Sequence, residues 1–512
     1  MSFYEELEKR NLAQLMFGTP FKKVVPMGGK EFLLMIQDIV ENNRSVYLDE
    51  DCDIDGYLSV LTLKTMFDVL GHKNYEIPTH VYKRHGVGID AIGAMMRENK
   101  YDYYIITDSS TNATDIFDLF LEHPEVKCIC IDHHISFTDR NKYRNTNVLL
   151  INPKLDSLEK GQETLLHHMS ACGVVSLLVE FVMRKLYPDK YDDMRGAHWV
   201  YGYITLYSDS CKFSWYNIAY ARRVVESHFP YPPLVDMFMN QYSTLNRTFV
   251  SWTLAPRLNA LLRAEYFSIA HDVFYDPEKA KSQGTVEFIE KVYQESKAFV
   301  SNLVITTRVV EKENLVIGYL MDTARVRNYT GLVASELSTK YNKPAMVLLL
   351  TSQDMYEGSV RDLYSRNLLE VFKTVIYAEG HPPAFGVKIK KDEAEDIIYL
   401  LDNLLRKISS DNEGIILLDW SCYTCKDKAL LEDMQLMTEY NEYSGQGLPV
   451  AYASVPIRSN MVIKHGPKVT RIRWGSSIEL LIFGRYISEG DTAVVEPSYP
   501  NKLVVKNIYY HY

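Results

Sequence analysis

Three side chains able to hold a metal stand together at Asp132-His133-His134, directly after the apolar run Val126-Lys127-Cys128-Ile129-Cys130-Ile131. Alone, an acid and two imidazoles serve equally well as a loop pair with no ion. Further acids occupy comparable places. Asp51, Asp53 and Asp55 lie in Asp49-Glu50-Asp51-Cys52-Asp53-Ile54-Asp55-Gly56, after Ser45-Val46-Tyr47-Leu48; Asp108 follows Tyr103-Tyr104-Ile105-Ile106, and Asp209 follows Tyr201 to Tyr207. Five acids in the seven positions 49–55 repel one another unless something positive sits among them. Carboxylates mixed with imidazoles suit Mn²⁺ or Mg²⁺ better than an ion that prefers thiolates. Two such ions sharing a carboxylate activate a water for in-line attack on phosphorus. The residue types therefore read as a two-metal hydrolase.

For these acids to meet, the runs before them must end side by side. Each run is short and apolar and is followed by a helical pattern. Gly56 opens a helix with an apolar face of Leu58, Leu61, Met66, Val69 and Leu70, stopped by Gly71. Thr114 to Leu121 reads as another helix. Val148-Leu149-Leu150-Ile151 is a strand entering Asn152-Pro153, and Ser170-Ala171-Cys172-Gly173 leads into a helix with Val175, Leu177, Leu178 and Phe181. Upstream, Phe32, Met35, Ile36, Ile39 and Val40 recur at helical spacing. Alternating strands and helices predict an α/β fold with a parallel sheet, whose carboxyl ends form one rim. An Asp at one strand end can simply cap the next helix. Ligand types at three consecutive strand ends are what argue for a site.

At 512 residues, with 46% hydrophobic and 24% charged residues, the chain should hold two to four globular domains. A formal net charge of −10 excludes a broad basic coat, so any nucleic-acid binding needs a local basic groove or metals that offset phosphate. With no apolar run near 18 residues, no membrane span is expected. The acidic, amphipathic Met1 to Leu7 does not read as a signal peptide. Seven scattered cysteines suggest a reducing cytoplasm, and the lone Cys422-x-x-Cys425 lacks the second pair a zinc site needs.

Taken together, the motifs resemble the DHH phosphoesterase superfamily and, within it, the RecJ-like single-strand exonucleases. Asp51-Cys52-Asp53-Ile54-Asp55-Gly56 resembles the first motif, Asp108 the second, Asp132-His133-His134 the signature third, and Asp209 the fourth. The segments Leu150 to Lys154, Ser170 to Val174, Ala255 to Ala260 with Arg263, Tyr329 to Glu336, Tyr341 to Leu348, Gly358 to Arg361, Gly380 to Gly386 and Asn441 to Pro449 extend the likeness. The resemblance implies two Mn²⁺ or Mg²⁺ ions held by Asp51, Asp53, Asp55, Asp108, Asp132, His133 and Asp209. Which first-motif acids touch metal stays open. Asp132, His133 and His134 form the implied catalytic group, and Arg257, Asn259, Ser359, Arg361, Gly380 and His381 the implied substrate contacts. Arg257 and Asn259 fit phosphate engagement and an interdomain contact equally well.

The implied organisation is a DHH catalytic domain with an N-terminal helical extension over 1–280, a linker helix over 281–304, an α/β DHH-associated domain over 305–408, and a β-rich OB-like domain over 409–512. In the last, Lys464, His465, Lys468, Arg471, Arg473 and Trp474 form either a strand-binding groove or a solvated strand face. Three departures touch the substrate end: Glu336 and Glu379 stand where the pattern carries Arg and Gly, and the Trp-His expected before the glycine turn is absent at Arg327-Asn328-Tyr329. The implied activity is 5′-to-3′ hydrolysis of single-stranded DNA to mononucleotides. The partners are then the strand itself and a single-strand-binding or replication and repair protein. The alternatives are a phosphodiesterase of short oligonucleotides or cyclic dinucleotides, and an inactive replication scaffold.

Overall fold

The runs that precede the acids fold as parallel strands: β1 (Val46–Glu50), β2 (Tyr75–Glu76), β3 (Tyr103–Thr107), β4 (Lys127–Ile131) and β5 (Val148–Ile151). The structure is a computed structural model. It describes residues 2–10, 12–13, 21–83, 86–239, 244–282, 284–362, 366, 368–381, 384–406, 415–424, 426–443, 450–466, 469–475, 478–483, 487–498 and 502–509. The strand order is β2-β1-β3-β4-β5, so the winding reverses between β1 and β3. Open α/β sheets bind ligands at the carboxyl ends beside such a reversal.

Every residue of β1 and β3 is buried, as both-face coverage requires. On one face Tyr104, Ile106, Cys128 and Cys130 pack with Ile92, Ile116, Phe117 and Phe120. On the other lies the helix Ile54–Leu70, packed in turn against the helices Ala171–Leu186 and Ala197–Ser208. That first helix begins two residues before the expected Gly56, because Asp53 caps it by accepting the Gly56 N–H at 3.1 Å. Gly71 ends it in the left-handed region, at φ 82°. Gly56 is needed for close approach: a Cβ there would lie 2.3 Å from the Asp51 carbonyl oxygen.

The helix Thr285–Thr306 precedes a second sheet. Its strands are β6 (Arg308–Glu311), β7 (Val316–Leu320), β8 (Ala345–Leu350), β9 (Met355–Arg361), β10 (Tyr377–His381) and β11 (Ala384–Lys390), in the order β10-β11-β9-β8-β7-β6. Only β7 and β8 pair in parallel. The helix Thr330–Tyr341 covers one face through Val333, Ala334 and Leu337. Both sheets belong to one compact unit, Lys22–Cys211 with Tyr220–Ser410.

The other unit gathers Met1–Phe21, Lys212–Ala219 and Asp411–Tyr512. Residues 1–21 thus group with the C-terminal segment rather than with the 1–280 segment to which they were assigned. The cause is local: the Phe3 ring meets Tyr440 edge-on at 5.2 Å, and its N–H is donated to Asp433 at 2.9 Å. Seven strands follow: β12 (Ile415–Asp419), β13 (Val450–Pro456), β14 (Val462–His465), β15 (Val469–Trp474), β16 (Ile478–Phe483), β17 (Thr492–Ser498) and β18 (Lys502–Tyr509). They form one sheet, ordered β12-β13-β17-β18-β16-β15-β14. On β15 burial alternates, leaving Arg471 and Arg473 outward and Trp474 buried. Trp474 is therefore core, not a stacking ring. Lys464 pairs across from Arg471, whereas Lys468 and residues 444–449 lie outside the described residues. Among the described residues no helix is long and apolar enough to cross a membrane.

Candidate functional site

Each acid is placed by the end of its own element. Asp51 follows β1 and accepts the Gly86 N–H at 3.2 Å, while Asp53 caps the helix Ile54–Leu70. Asp55, in that helix's first turn, accepts the N–H groups of Ala171 at 2.8 Å and Cys172 at 2.9 Å. These open the helix Ala171–Leu186, where a negative charge is favoured. Asp108 follows β3 at φ 61°, a left-handed conformation that Asp tolerates, and its N–H still bonds Ile131 on the neighbouring strand at 2.8 Å. Asp209 ends the helix Ala197–Ser208.

His133 ties these together. Its Nδ1 lies 3.2 Å from the Met169 carbonyl, which can only accept, so Nδ1 donates there and Nε2 is the nitrogen turned to the acids. Nε2 faces Asp108 Oδ1 at 3.3 Å, Asp209 Oδ2 at 3.5 Å and Asp55 Oδ2 at 3.7 Å. An imidazole nitrogen among three carboxylate oxygens is a donor set able to hold a divalent cation. Asp108 Oδ1 is moreover buried with no hydrogen-bond partner among the described residues. Ligand atoms converge in three sets: Asp51 with Asp53 and Asp108, Asp108 with His133 and His134, and His133 with Asp209 and Cys211. Asp108 belongs to the first two, the position of a bridge between two ions. Burial pushes Asp53, Asp55 and Asp108 up, and the crowded charges of their neighbours, Asp209 among them, push them further. Divalent cations remove that cost. The Cys211 thiol is pushed up by burial and by Asp209, so it stays protonated and suits hard ions poorly.

Asp132, expected as a ligand or a close support, has both oxygens engaged by the protein. One oxygen accepts Thr111 N–H at 3.1 Å and the Thr111 hydroxyl at 2.5 Å. The other accepts the N–H groups of His133 at 2.7 Å and His134 at 3.1 Å, and His134 Nδ1 at 2.8 Å. With both oxygens engaged, it fixes the two imidazoles and joins none of the convergent sets. Burial alone would raise Asp132, but the charge and hydrogen bond of His134 hold it well below the carboxylate range. Burial likewise pulls His134 down, yet Asp132 overrides it and pushes the imidazole up to about 9.

A cleft of about 1040 Å³ joins these acids to the second sheet of the same unit. Its far wall includes Ser359, Arg361, Gly380 and Glu379, and Lys83, Arg263 and Asn328 also line it. Burial and the adjacent charge of Arg263 lower Arg361 to about 10, so the two guanidinium groups crowd one another. Only Gly331 leaves room: a Cβ there would sit 2.4 Å from Arg361 Nη2. Crowded, partly desolvated guanidinium groups are satisfied by an anion such as phosphate. The Ser359 hydroxyl is paired with Thr330 at 2.9 Å.

No family model matches the chain. It is 21% identical over 397 residues to the single-stranded-DNA-specific exonuclease RecJ of Bacillus subtilis, a match spanning 76% of this chain and 49% of that protein. It is also 21% identical over 415 residues to the putative SPbeta prophage-derived single-strand DNA-specific exonuclease YorK of Bacillus subtilis, over 73% of this chain and 68% of the other. The crystal structure of Thermus thermophilus RecJ in complex with Mn²⁺ superposes with a TM-score of 0.71 at 14% identity, over 99% of this chain and 75% of that one. The chain has the fold of RecJ. A second structure, exonuclease RecJ bound to manganese, gives a TM-score of 0.53 at 17% identity, over 77% of this chain and 98% of that one. The chain thus spans about half the length of the Bacillus RecJ.

Within this RecJ-like frame, two expected substrate contacts fall elsewhere. Arg257 donates to Glu290 of the helix Thr285–Thr306 at 2.7 Å and to the Thr253 carbonyl at 2.9 Å, and it lies over the Tyr293 ring. Neither it nor half-buried Asn259 lines the cleft. Its helix turns Arg257 toward the helix Thr285–Thr306. Arg257→Ala is expected to leave KM for any cleaved substrate unchanged and to cost about 1 kcal/mol of stability, the pair being partly solvated. A KM shift in steady-state kinetics would return Arg257 to the site. Glu336 is exposed and off the cleft, and Glu379 is held by the Tyr377 hydroxyl. Gly380 lines the cleft at φ 138°, whereas the His381 side chain and residues 382–383 lie outside the described residues. Lys83 escaped notice in the sequence. The signal was Lys83-Arg84-His85-Gly86-Val87-Gly88, a basic run entering a Gly-x-Gly turn soon after β2; Arg84 and His85 lie outside the described residues.

Proposed function

We propose that the chain is a two-metal phosphodiesterase that degrades single-stranded DNA as an exonuclease from the 5′ end. The observation that carries this reading is His133 Nε2 facing Asp55, Asp108 and Asp209 in a cleft whose other side presents Arg263 and Arg361. Bound Mn²⁺ or Mg²⁺ would supply an activated water and neutralise charge at the phosphorus. Asp51, Asp53 and Asp108 would hold one ion, and Asp108 and Asp209, the two acids nearest His133 Nε2, would hold the other with it. Asp132 acts as a positioning residue for both imidazoles. His134, anchored through Nδ1, turns its other nitrogen to the cleft, where it can donate to a phosphate oxygen. Arg361 and Arg263 grip a phosphate of the strand, and Lys83 adds charge beside the acids. The relatives named as single-strand DNA exonucleases, and the RecJ structures with Mn²⁺ and Mg²⁺, support the substrate and the ions. The outward face of Lys464, Arg471 and Arg473 offers further phosphate contacts in the other unit. A reducing cytoplasm suits the buried, non-disulfide thiols of Cys52, Cys128, Cys130, Cys172 and Cys211.

The test offers the purified chain with Mn²⁺ end-labelled single-stranded DNA, duplex DNA and a dinucleotide, each with and without a 5′-phosphate. Stepwise release of mononucleotides from the single strand is expected. Cleavage of the dinucleotide with the long strand untouched would replace this reading with a small-substrate phosphodiesterase. The ions should also stabilise the fold. At about 100 times Kd, each should add about 2.7 kcal/mol to the unit that binds it. Differential scanning calorimetry should show a transition that rises with Mn²⁺ and falls back with chelator, and an unmoved transition would argue against the ligand sets.

A further inference from the structure

A second group of metal-capable side chains lies apart from the acidic centre, on the loop between the helices Pro153–Lys160 and Ala171–Leu186. Glu163, His167 and His168 bring one ligand atom each within 4.8 Å of one another. The Glu163 carboxylate divides between the imidazoles: Oε1 is 3.9 Å from His167 Nε2 and Oε2 is 3.1 Å from His168 Nε2. Ligands around a tetrahedral ion with bonds near 2.0–2.1 Å stand about 3.3 Å apart, so small side-chain movements suffice.

Two further observations point to an ion rather than a surface ion pair. The first is the anchoring of His167. Its Nδ1 lies 2.8 Å from the Ser157 hydroxyl, which also lies 2.9 Å from the Pro153 carbonyl and 3.1 Å from the Thr164 hydroxyl. With Nδ1 engaged there, Nε2 is the nitrogen turned toward Glu163. A metal-ligating imidazole is fixed in this way by a hydrogen bond at its other nitrogen. The second is preorganisation. Leu166 and Met169, both buried, bracket the two histidines, and the bonds His167 N–H to Thr164 O at 3.1 Å and Met169 N–H to Leu166 O at 2.9 Å fold the loop tightly between them.

We propose that Glu163, His167 and His168 bind a transition-metal ion of the Zn²⁺ class, with a fourth position open to water. Two imidazoles and one carboxylate select Zn²⁺ or its late first-row neighbours over Mg²⁺, which prefers oxygen ligands. The site is therefore chemically distinct from the carboxylate-rich centre. It also abuts that centre, because the next residue, Met169, supplies the carbonyl that fixes His133. An ion here pins the loop that orients His133.

The test counts zinc in the untagged full chain and in Glu163→Gln and Glu163→Gln/His168→Ala variants. Each is stripped with chelator, re-equilibrated with Zn²⁺ in excess Mg²⁺, and gel-filtered. The wild type is expected to retain one more Zn²⁺ per chain than the double variant. Co²⁺ loading should give visible absorption that the double variant lacks and that Glu163→Gln weakens. Glu163 is exposed, so the single variant keeps its fold, checked by circular dichroism. Equal zinc and equal Co²⁺ absorption in all three proteins overturn the proposal. Because the acidic centre is intact in all three, the difference between them does not depend on cleavage.

Discussion

His133→Ala is expected to lower Mn²⁺-dependent cleavage of single-stranded DNA at least about 10³-fold, the scale on which losing one member of a preorganised reaction centre is felt. The imidazole has two fixed jobs. Nδ1 is committed to the Met169 carbonyl, and Nε2 stands 3.3–3.7 Å from the oxygens of Asp55, Asp108 and Asp209. Alanine removes the nitrogen that faces the carboxylates and the bond from Nδ1 to the Met169 carbonyl. Metal occupancy should fall with the rate, so titration calorimetry with Mn²⁺ should lose a binding event. The metal-free protein should unfold within a few degrees of the wild type, since the substitution removes no apolar packing from the sheet. Wild-type turnover in the variant would remove His133 from the reaction. Lost turnover with unchanged Mn²⁺ binding would instead make the imidazole a proton carrier rather than a ligand.

The acids were legible in the sequence because their positions follow from periodicity alone. A buried parallel strand reads as an unbroken apolar run, and the residue after it must lie on the carboxyl rim. That logic finds Asp51, Asp108 and His133 without knowing strand order. It does not reach roles set by a distant partner. Whether Asp132 is a ligand or a close support depends on Thr111, which comes from the neighbouring strand end and bonds one of its oxygens. Arg257 and Arg263 sit on one short helix, yet only Arg263 lines the cleft, because Glu290 and Tyr293 of the linker helix claim Arg257. Trp474 reads as a stacking ring beside basic residues, but strand alternation sends it inward. The helix Phe3–Lys9 carries no mark in its own sequence that its partner is Tyr440. Spacing fixes which face a residue takes within its element; packing fixes what that face meets.

Arg361→Ala should raise KM for single-stranded DNA about 10²-fold or more, with a smaller change in kcat, as removal of a partly buried charge that grips substrate predicts. The proposed grip follows from how the side chain is held. Its Nη1 is held by the Val360 carbonyl at 2.7 Å, and its Nη2 occupies the space that Gly331 leaves by lacking a Cβ. The charge of Arg263 depresses it further, so the guanidinium lies beside a like charge until an anion arrives. Arg361→Lys should recover little, because an ammonium cannot make the paired contacts of a planar fork. Gly331→Ala should phenocopy it in part by displacing the guanidinium without removing the charge. Mn²⁺ binding should be unchanged in all three, which separates a substrate grip from a metal effect. If KM stays at the wild-type value in Arg361→Ala, the strand is held elsewhere along the cleft, and Lys83 becomes the next cation to remove.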